Sequence, residues 1–131
     1  MKLATDFDRA IRGTDFGVDL MVGTVRGMLM GTQALLPKEK QITPKQLAQT
    51  LAEVRARSRP AMEQMALVNG LYTYRSLADA EFAEYIAFWA SAPGAAVGAK
   101  TAAAINTAFD KLAVDLGDIS AALAQKYPPK K

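Results

Sequence analysis

Residues 15–36, DFGVDLMVGTVRGMLMGTQALL, contain the most informative apolar pattern in the chain. When these residues are placed at about 100° intervals around a helix axis, the apolar side chains form two opposite faces. The broad face consists of Val18, Met21, Val22, Val25, Met28, Leu29 and Leu36. The second face consists of Leu20, Gly23, Gly27, Gly31 and Ala34. A narrow polar strip with Asp19 and Arg26 separates the two faces, so the segment is predicted to be a helix that packs against neighbours on both sides.

Three glycines at four-residue spacing in the second face indicate close helix packing. A glycine inside a helix costs about 1 kcal/mol relative to alanine, so the spacing needs a compensating contact. The close approach of a second helix backbone would supply this compensating contact. The helix is then either the central helix of the domain or the seam of a homodimer. We take the second face, from Leu20 to Ala34, as a candidate interaction face.

Small residues at this spacing also occur where membrane helices pair. Asp19 and Arg26 argue against a membrane-spanning helix, because each would cost about 2.5–3.5 kcal/mol near the bilayer centre. We therefore expect no transmembrane span.

Helical periodicity continues on both sides of this segment, and no stretch alternates apolar and polar residues as a strand would. Thr43, Pro44 and Gln46 form a helix-start signal, whereas Pro60 is expected to break or kink that helix.

The other helices are predicted over 6–12, which Gly13 ends, over 60–71 and over 95–125, and a further helix that Ser76 or Asp79 can cap contains the core-facing stripe from Phe82 to Trp89. Ser91, Pro93 and Gly94 stop that helix and turn the chain. The apolar residues of 95–125, among them Phe109, Leu112, Leu116, Ile119 and Leu123, form a narrow seam that is suited to lie along 15–36. The predicted fold is an all-α compact bundle of about five helices, with 15–36 and 95–125 as its long axis. It forms a single domain over 1–127, followed by a flexible tail over 128–131.

The composition removes most catalytic chemistry, because the 131 residues include no cysteine and no histidine. Their absence excludes thiolate nucleophiles, imidazole bases and disulfides. It also excludes the usual zinc and haem ligands, so that only carboxylates remain as possible metal ligands. The densest acidic cluster is Asp79, Glu81 and Glu84, which favourable charge at a helix N-terminus explains. We therefore predict a protein that is not an enzyme and holds no metal or cofactor.

The net charge of +3 is unevenly distributed. Residues 37–76 sum to +4 and residues 77–127 sum to −3, which favours charge matching within the chain or between subunits. The basic cluster is Arg55, Arg57 and Arg59, and helical spacing points Arg57 away from the other two. Without interleaved aromatic side chains, this cluster predicts a solvated surface, and we expect no nucleic-acid partner.

Four methionines, Met21, Met28, Met62 and Met65, lie on predicted core faces. Methionine fills irregular gaps in cores, and it also lines adaptable apolar binding surfaces. These residues are therefore either core filler or the lining of an interhelical groove for a lipid or another apolar small molecule.

Residues 77–94, LADAEFAEYIAFWASAPG, contain Glu81-Phe82, Phe88-Trp89, Ser91 and Gly94 at a distinctive spacing. This segment resembles a bacterial helical domain of unknown function that occurs in exported, mostly periplasmic proteins. That family has an acidic start, Glu-Leu, a short spacer, Phe-Tyr, Ser and Gly, followed by a long helix. Trp89 replaces the usual Tyr, and Ala78 replaces a common capping Ser or Thr. The resemblance implies an all-α envelope domain in the periplasm and carries no known activity, catalytic residue or cofactor.

The N-terminal residues show no signal-peptide pattern, because Asp6, Asp8 and Arg9 precede any long apolar run. The chain is then either cytoplasmic or an exported protein whose signal peptide is absent here, and the resemblance favours the periplasm. The expected function is non-catalytic, through protein–protein contact or self-association as a homodimer. The alternative is a carrier of an apolar small molecule between the methionine-rich helices.

Overall fold

The computed structural model describes residues 1–33 and 36–127, which form five α-helices and one short 3-10 helix, with no strand in these ranges. The helices are α1 (Lys2–Ile11), α2 (Gly13–Gln33), α3 (Pro44–Thr73), α4 (Asp79–Ala90) and α5 (Ala92–Lys126), and the 3-10 helix covers Lys38–Lys40. The predicted all-α bundle of about five helices, two of them long, is confirmed, but the predicted long helix over 15–36 is not one of the two longest. Ala34 of the candidate interaction face and the predicted tail at 128–131 lie outside the described residues.

Helix α2 is the centre of the bundle, with α5 on one side and α3 on the other. Helix α5 runs parallel to α2, since Gly27 faces Ala113 and Gly31 faces Gly117. Helix α3 runs antiparallel to α2, since Arg59 pairs with Asp15 and the earlier Arg55 pairs with the later Asp19. Among the described residues, α3 and α5 do not contact each other. Helix α2 therefore packs against neighbours on two sides, as predicted.

Helix α3 continues through Pro60, so the predicted break at this residue is wrong. A proline leaves the carbonyl four residues earlier without its helical partner. Here Ala56 and Pro60 are both exposed, so water can reach that carbonyl. The capping box of Thr43 and Gln46 starts the helix as predicted. The two long helices are consequently α3, with 30 residues, and α5, with 35, whereas α2 has 21.

The corner between α1 and α2 is tighter than the sequence suggests. Arg12 takes the left-handed conformation (φ 56°), and Gly13, expected to end the first helix, begins the second. The Asp8 carboxylate accepts hydrogen bonds from both the backbone N–H and the hydroxyl of Thr14, at 2.7 Å each. Asp8 therefore caps α2 from the preceding helix, and α1 itself begins at Lys2 instead of Asp6.

Helices α1 and α4 pack together across one end of the bundle, around a cluster of aromatic rings. Phe7 lies at the centre of this cluster, with its ring centroid 4.9 Å from that of Tyr74 and 5.5 Å from that of Phe82. Tyr85 and Trp89 extend the cluster along α4. The buried apolar side chains are Ala4, Phe7, Val18, Phe82 and Ala113. Most of them lie at this end, so the opposite end of the bundle has little core.

Candidate functional site

The glycine-rich face of α2 is covered by α5 of the same chain. A β-carbon added at Gly27 would overlap Ala113, and one added at Gly31 would overlap the backbone of Gly117. A β-carbon at Gly23 would lie 2.5 Å from the Asp110 carboxylate. The close approach predicted from the glycine spacing is real, and the alternative of a dimer seam is wrong for these glycines because this face is not free. Leu20, at the start of the face, instead lines a groove beside α3.

The surface left free on α5 is apolar. Five large side chains, Phe109, Leu112, Leu116, Ile119 and Leu123, are each 43–56% exposed. Their spacing alternates between three and four residues, which places them on one side of the helix as in a coiled-coil seam. We call these five residues the α5 stripe. From the sequence they were expected to face α2, but the small residues Ala113 and Gly117 occupy that contact instead.

The α5 stripe continues a seam whose first part is covered. Gly98 and Ile105 precede the stripe at the same helical spacing and line an apolar groove of about 290 Å³ with Phe7, Tyr85 and Trp89. Trp89 contacts the position of Gly98, where an added β-carbon would lie 3.7 Å from the indole ring. Helices α1 and α4 therefore lie over the first part of the seam and leave the second part bare.

A second groove lies between α1, α2 and α3 and has a volume of about 450 Å³. Met62 and Met65 line it with apolar residues of α1 and α2, among them Ile11, Phe16 and Leu20. Met21 and Met28 do not belong to its lining and lie exposed at the edge of the broad face of α2. The four methionines therefore do not form one groove, and only the two from α3 occupy a concave site.

The basic cluster on α3 contacts α2. Arg59 lies 2.9 Å from Asp15, and Arg55 lies 2.8 Å from Asp19. The hydrogen bond from Arg59 lowers the pKa of Asp15, against an opposing effect of partial burial. The partners of these arginines are thus acidic residues of α2, and not the acidic C-terminal part that the charge distribution suggested.

Ser91 and Gly94 form the corner between α4 and α5. The Ser91 hydroxyl accepts a hydrogen bond from the backbone N–H of Gly94 at 3.3 Å and donates one to the Phe88 carbonyl at 2.5 Å. A β-carbon at Gly94 would overlap the Phe88 carbonyl. Ser91 and Gly94 therefore shape a tight helix corner, as the sequence indicated for this turn.

Comparison with known proteins adds no relatives. The chain matches no protein-family model, no curated protein and no solved structure. None of the helices described is both long and apolar enough to cross a membrane. Within residues 1–33 and 36–127, no group of three or more carboxylates is placed to hold a metal ion.

Proposed function

We propose that this is a non-catalytic protein of the bacterial envelope that acts through protein–protein contact, with the α5 stripe as its contact surface. The observation that carries the proposal is the exposure of the stripe, where Leu112, Leu116 and Ile119 are each about half exposed. Contiguous apolar patches of this kind mark interaction sites, because leaving them in water is unfavourable. The heptad spacing of the stripe suits a helix as the partner element.

Charge around the stripe favours a protein partner over an anionic membrane. Residues 109–126 contain three aspartates and two lysines. Helices that lie on membranes are usually rich in lysine and arginine on their polar side. An acidic flank would instead be repelled by anionic lipid headgroups.

The periplasmic location is part of the proposal and is supported by the resemblance of residues 77–94 to exported bacterial domains. Fractionation of the native host, with an antibody against this chain, tests it. Recovery with periplasmic markers is expected, and recovery with cytoplasmic markers alone would contradict the location without affecting the contact surface.

Native mass spectrometry of the protein purified from its own host tests the contact surface. The wild type is expected in an assembly that contains polypeptide mass beyond the 14.1 kDa of one chain. Leu116→Asp should abolish this assembly. Val114→Asp is the matched control, because Val114 and Leu116 lie on the same helix and are 48% and 47% exposed. Val114 lies outside the stripe, so its substitution should leave the assembly intact. A wild-type spectrum with only the single chain would overturn the proposal.

A second candidate function, transport of an apolar small molecule, is favoured by the groove that contains Met62 and Met65. Its volume of about 450 Å³ lies within the range of small-molecule sites, about 300–1,000 Å³. Its lining is mainly apolar, with Asp8, Asn69 and Thr73 as polar groups.

Displacement of an apolar fluorophore by a fatty acid tests the carrier function. Met65→Lys should weaken binding of the fluorophore, because Met65 lines the groove. Met28→Lys is the matched control, because Met28 and Met65 are both 54% exposed. It should leave binding of the fluorophore unchanged, because Met28 lies outside the groove. Equal effects of the two substitutions, or no displacement, would remove the carrier function.

A further inference from the structure

We infer that the partner on the α5 stripe is a second copy of this chain, bound with the two α5 helices antiparallel. This inference rests on the proposed function, in which the stripe is the contact surface. The second copy is the occupant of that surface, and its α5 runs in the opposite direction.

The exposed surface of the chain is large enough for such a dimer. A folded monomer of this mass exposes about 6,700 Å². The chain exposes 9440 Å², which is about 2,700 Å² more than that expectation. A standard protein–protein interface takes about 800 Å² from each partner. An interface of ordinary size would therefore bring the exposed surface of each chain closer to that expectation.

The spacing of the stripe is nearly symmetric about Leu116. Phe109 lies seven residues before Leu116 and Leu123 lies seven after it, whereas Leu112 and Ile119 lie four before and three after. Two antiparallel copies related by a two-fold axis at Leu116 would place Phe109 opposite Leu123 of the second copy. Leu112 would lie opposite Ile119 in the same way. Each apolar side chain then meets an apolar side chain, and the interface uses the same residues from both copies.

The position of α1 and α4 decides the direction. These helices lie over the first part of the seam, where Gly98 and Ile105 line a groove with Trp89. In a parallel pair, both copies would place α1 and α4 at the same level between the two α5 helices. In the antiparallel pair, position 105 of one copy lies beyond the end of the other copy's α5. Only the antiparallel arrangement brings the bare halves together without this collision.

One charged residue opposes the pairing of the two copies, so its replacement should strengthen the dimer. Asp115 precedes Leu116, so the two copies of Asp115 would approach each other near the two-fold axis. Replacing this aspartate by asparagine should strengthen the dimer, whereas an interface elsewhere on the chain would not respond to it.

Sedimentation velocity of the purified full chain over a concentration series tests the inference. The wild type and Val114→Asp should sediment as a species of twice the 14.1 kDa chain mass. Leu116→Asp should raise the dissociation constant by at least about 30-fold, because the residue is lost from both sides of the two-fold axis. Asp115→Asn should lower the dissociation constant. Circular dichroism establishes that each variant keeps its helix content.

Cysteine cross-linking tests the direction, because the natural chain contains no cysteine. Leu116→Cys should form a disulfide-linked dimer on oxidation. Leu123→Cys alone should not, because its two copies would lie about 21 Å apart along the helices. A mixture of Leu123→Cys and Phe109→Cys should cross-link. Efficient cross-linking of Leu123→Cys to itself would overturn the antiparallel arrangement.

Failure of this inference can be separated from failure of the proposed function. A purified chain that stays monomeric at every concentration overturns the second copy as partner. If the assembly from the host still depends on Leu116, the proposed function stands with a different polypeptide. If Leu116 instead controls binding to anionic vesicles, the second copy and the protein-contact function are both wrong.

Discussion

Gly31 of α2 and Gly117 of α5 pack backbone against backbone, and a β-carbon at position 117 would lie 2.5 Å from the Cα of Gly31. Both residues are buried. This contact explains why α2 tolerates glycines inside a helix, since the loss of helix propensity is offset by close packing along the whole pair. The same closeness makes the α2–α5 seam sensitive to a single methyl group.

Gly117→Ala should therefore destabilise the protein by about 1–3 kcal/mol, because the helices must separate to admit the methyl group. Gly98→Ala in the same helix is the matched control. Its β-carbon would lie 3.7 Å from the Trp89 ring, an ordinary contact, so the gain in helix propensity should stabilise the protein by up to about 1 kcal/mol. Urea denaturation at one fixed protein concentration measures both. Stabilisation by Gly117→Ala would show that the seam is looser than described.

Arg12→Gly should stabilise the protein by about 0.5–1 kcal/mol. Arg12 has a left-handed backbone (φ 56°, ψ 37°), which glycine adopts without the steric cost that a side chain brings. The exposed contact of Arg12 with Asp15, at 3.4 Å, contributes little to oppose this gain. Thermal and urea denaturation check the sign. Arg9→Gly, inside α1, should instead destabilise by up to about 1 kcal/mol, and equal effects of the two substitutions would contradict the assignment of strain to Arg12.

Acid should weaken the contact between α2 and α3 through Asp15. The Arg59 hydrogen bond lowers the pKa of Asp15 below its usual 3.8, so the folded state binds this proton less readily than the unfolded state. The associated stability is present above about pH 4 and is lost as the pH falls through the lowered pKa. For an exposed pair the effect is at most about 1 kcal/mol.

Asp15→Asn should accordingly flatten the fall in unfolding free energy below about pH 4. Arg59→Met should have a smaller effect in the same direction, because Arg12 still lowers the pKa of Asp15, and the double variant should behave like Asp15→Asn alone. Additivity of the two substitutions would indicate that Asp15 and Arg59 do not act as a pair.

Alkali should weaken the aromatic end of the bundle through Tyr74. Burial, together with the neighbouring Tyr85 hydroxyl, raises the pKa of Tyr74 from 10.0 to about 12. The folded state therefore holds this proton more tightly than the unfolded state, so the associated stability is complete below about pH 10 and is lost between about pH 10 and 12. Tyr74→Phe should remove this loss in denaturation experiments across that range. Tyr72→Phe, at a position 67% exposed, is the control and should leave the profile unchanged.

Much of the local structure could be predicted from the sequence. The capping box at Thr43 and the serine corner at Ser91 involve residues only three apart, so their hydrogen bonds depend on nearby residues alone. The hydrogen bonds from Thr14 to Asp8 span six residues. They could not be predicted, because they depend on the left-handed conformation of Arg12, which the sequence does not indicate. The pairing of Arg59 with Asp15 spans 44 residues and could not be derived from either helix by itself.

The candidate site was only partly accessible to sequence reasoning. The glycine face of α2 was recognised, but its partner could equally have been α5 or a second chain. The spacing of the α5 stripe predicts an apolar seam, but the neighbour predicted for that seam, α2, is wrong. The small residues Ala113 and Gly117, four positions apart on another side of α5, are the signal in the sequence that favours the correct assignment.

Which side chains share a face of each helix follows from the sequence alone, because a helix repeats every 3.6 residues whatever surrounds it. The all-α class and the two-sided character of α2 follow in the same way. Which faces meet depends on how the helices pack against one another in the folded chain. The separation between two helices depends on both backbones at once, and Gly31 and Gly117 allow an approach that Leu112 and Leu116 would prevent. The small residues of α5 consequently turn inward, and its large apolar residues are left on the surface.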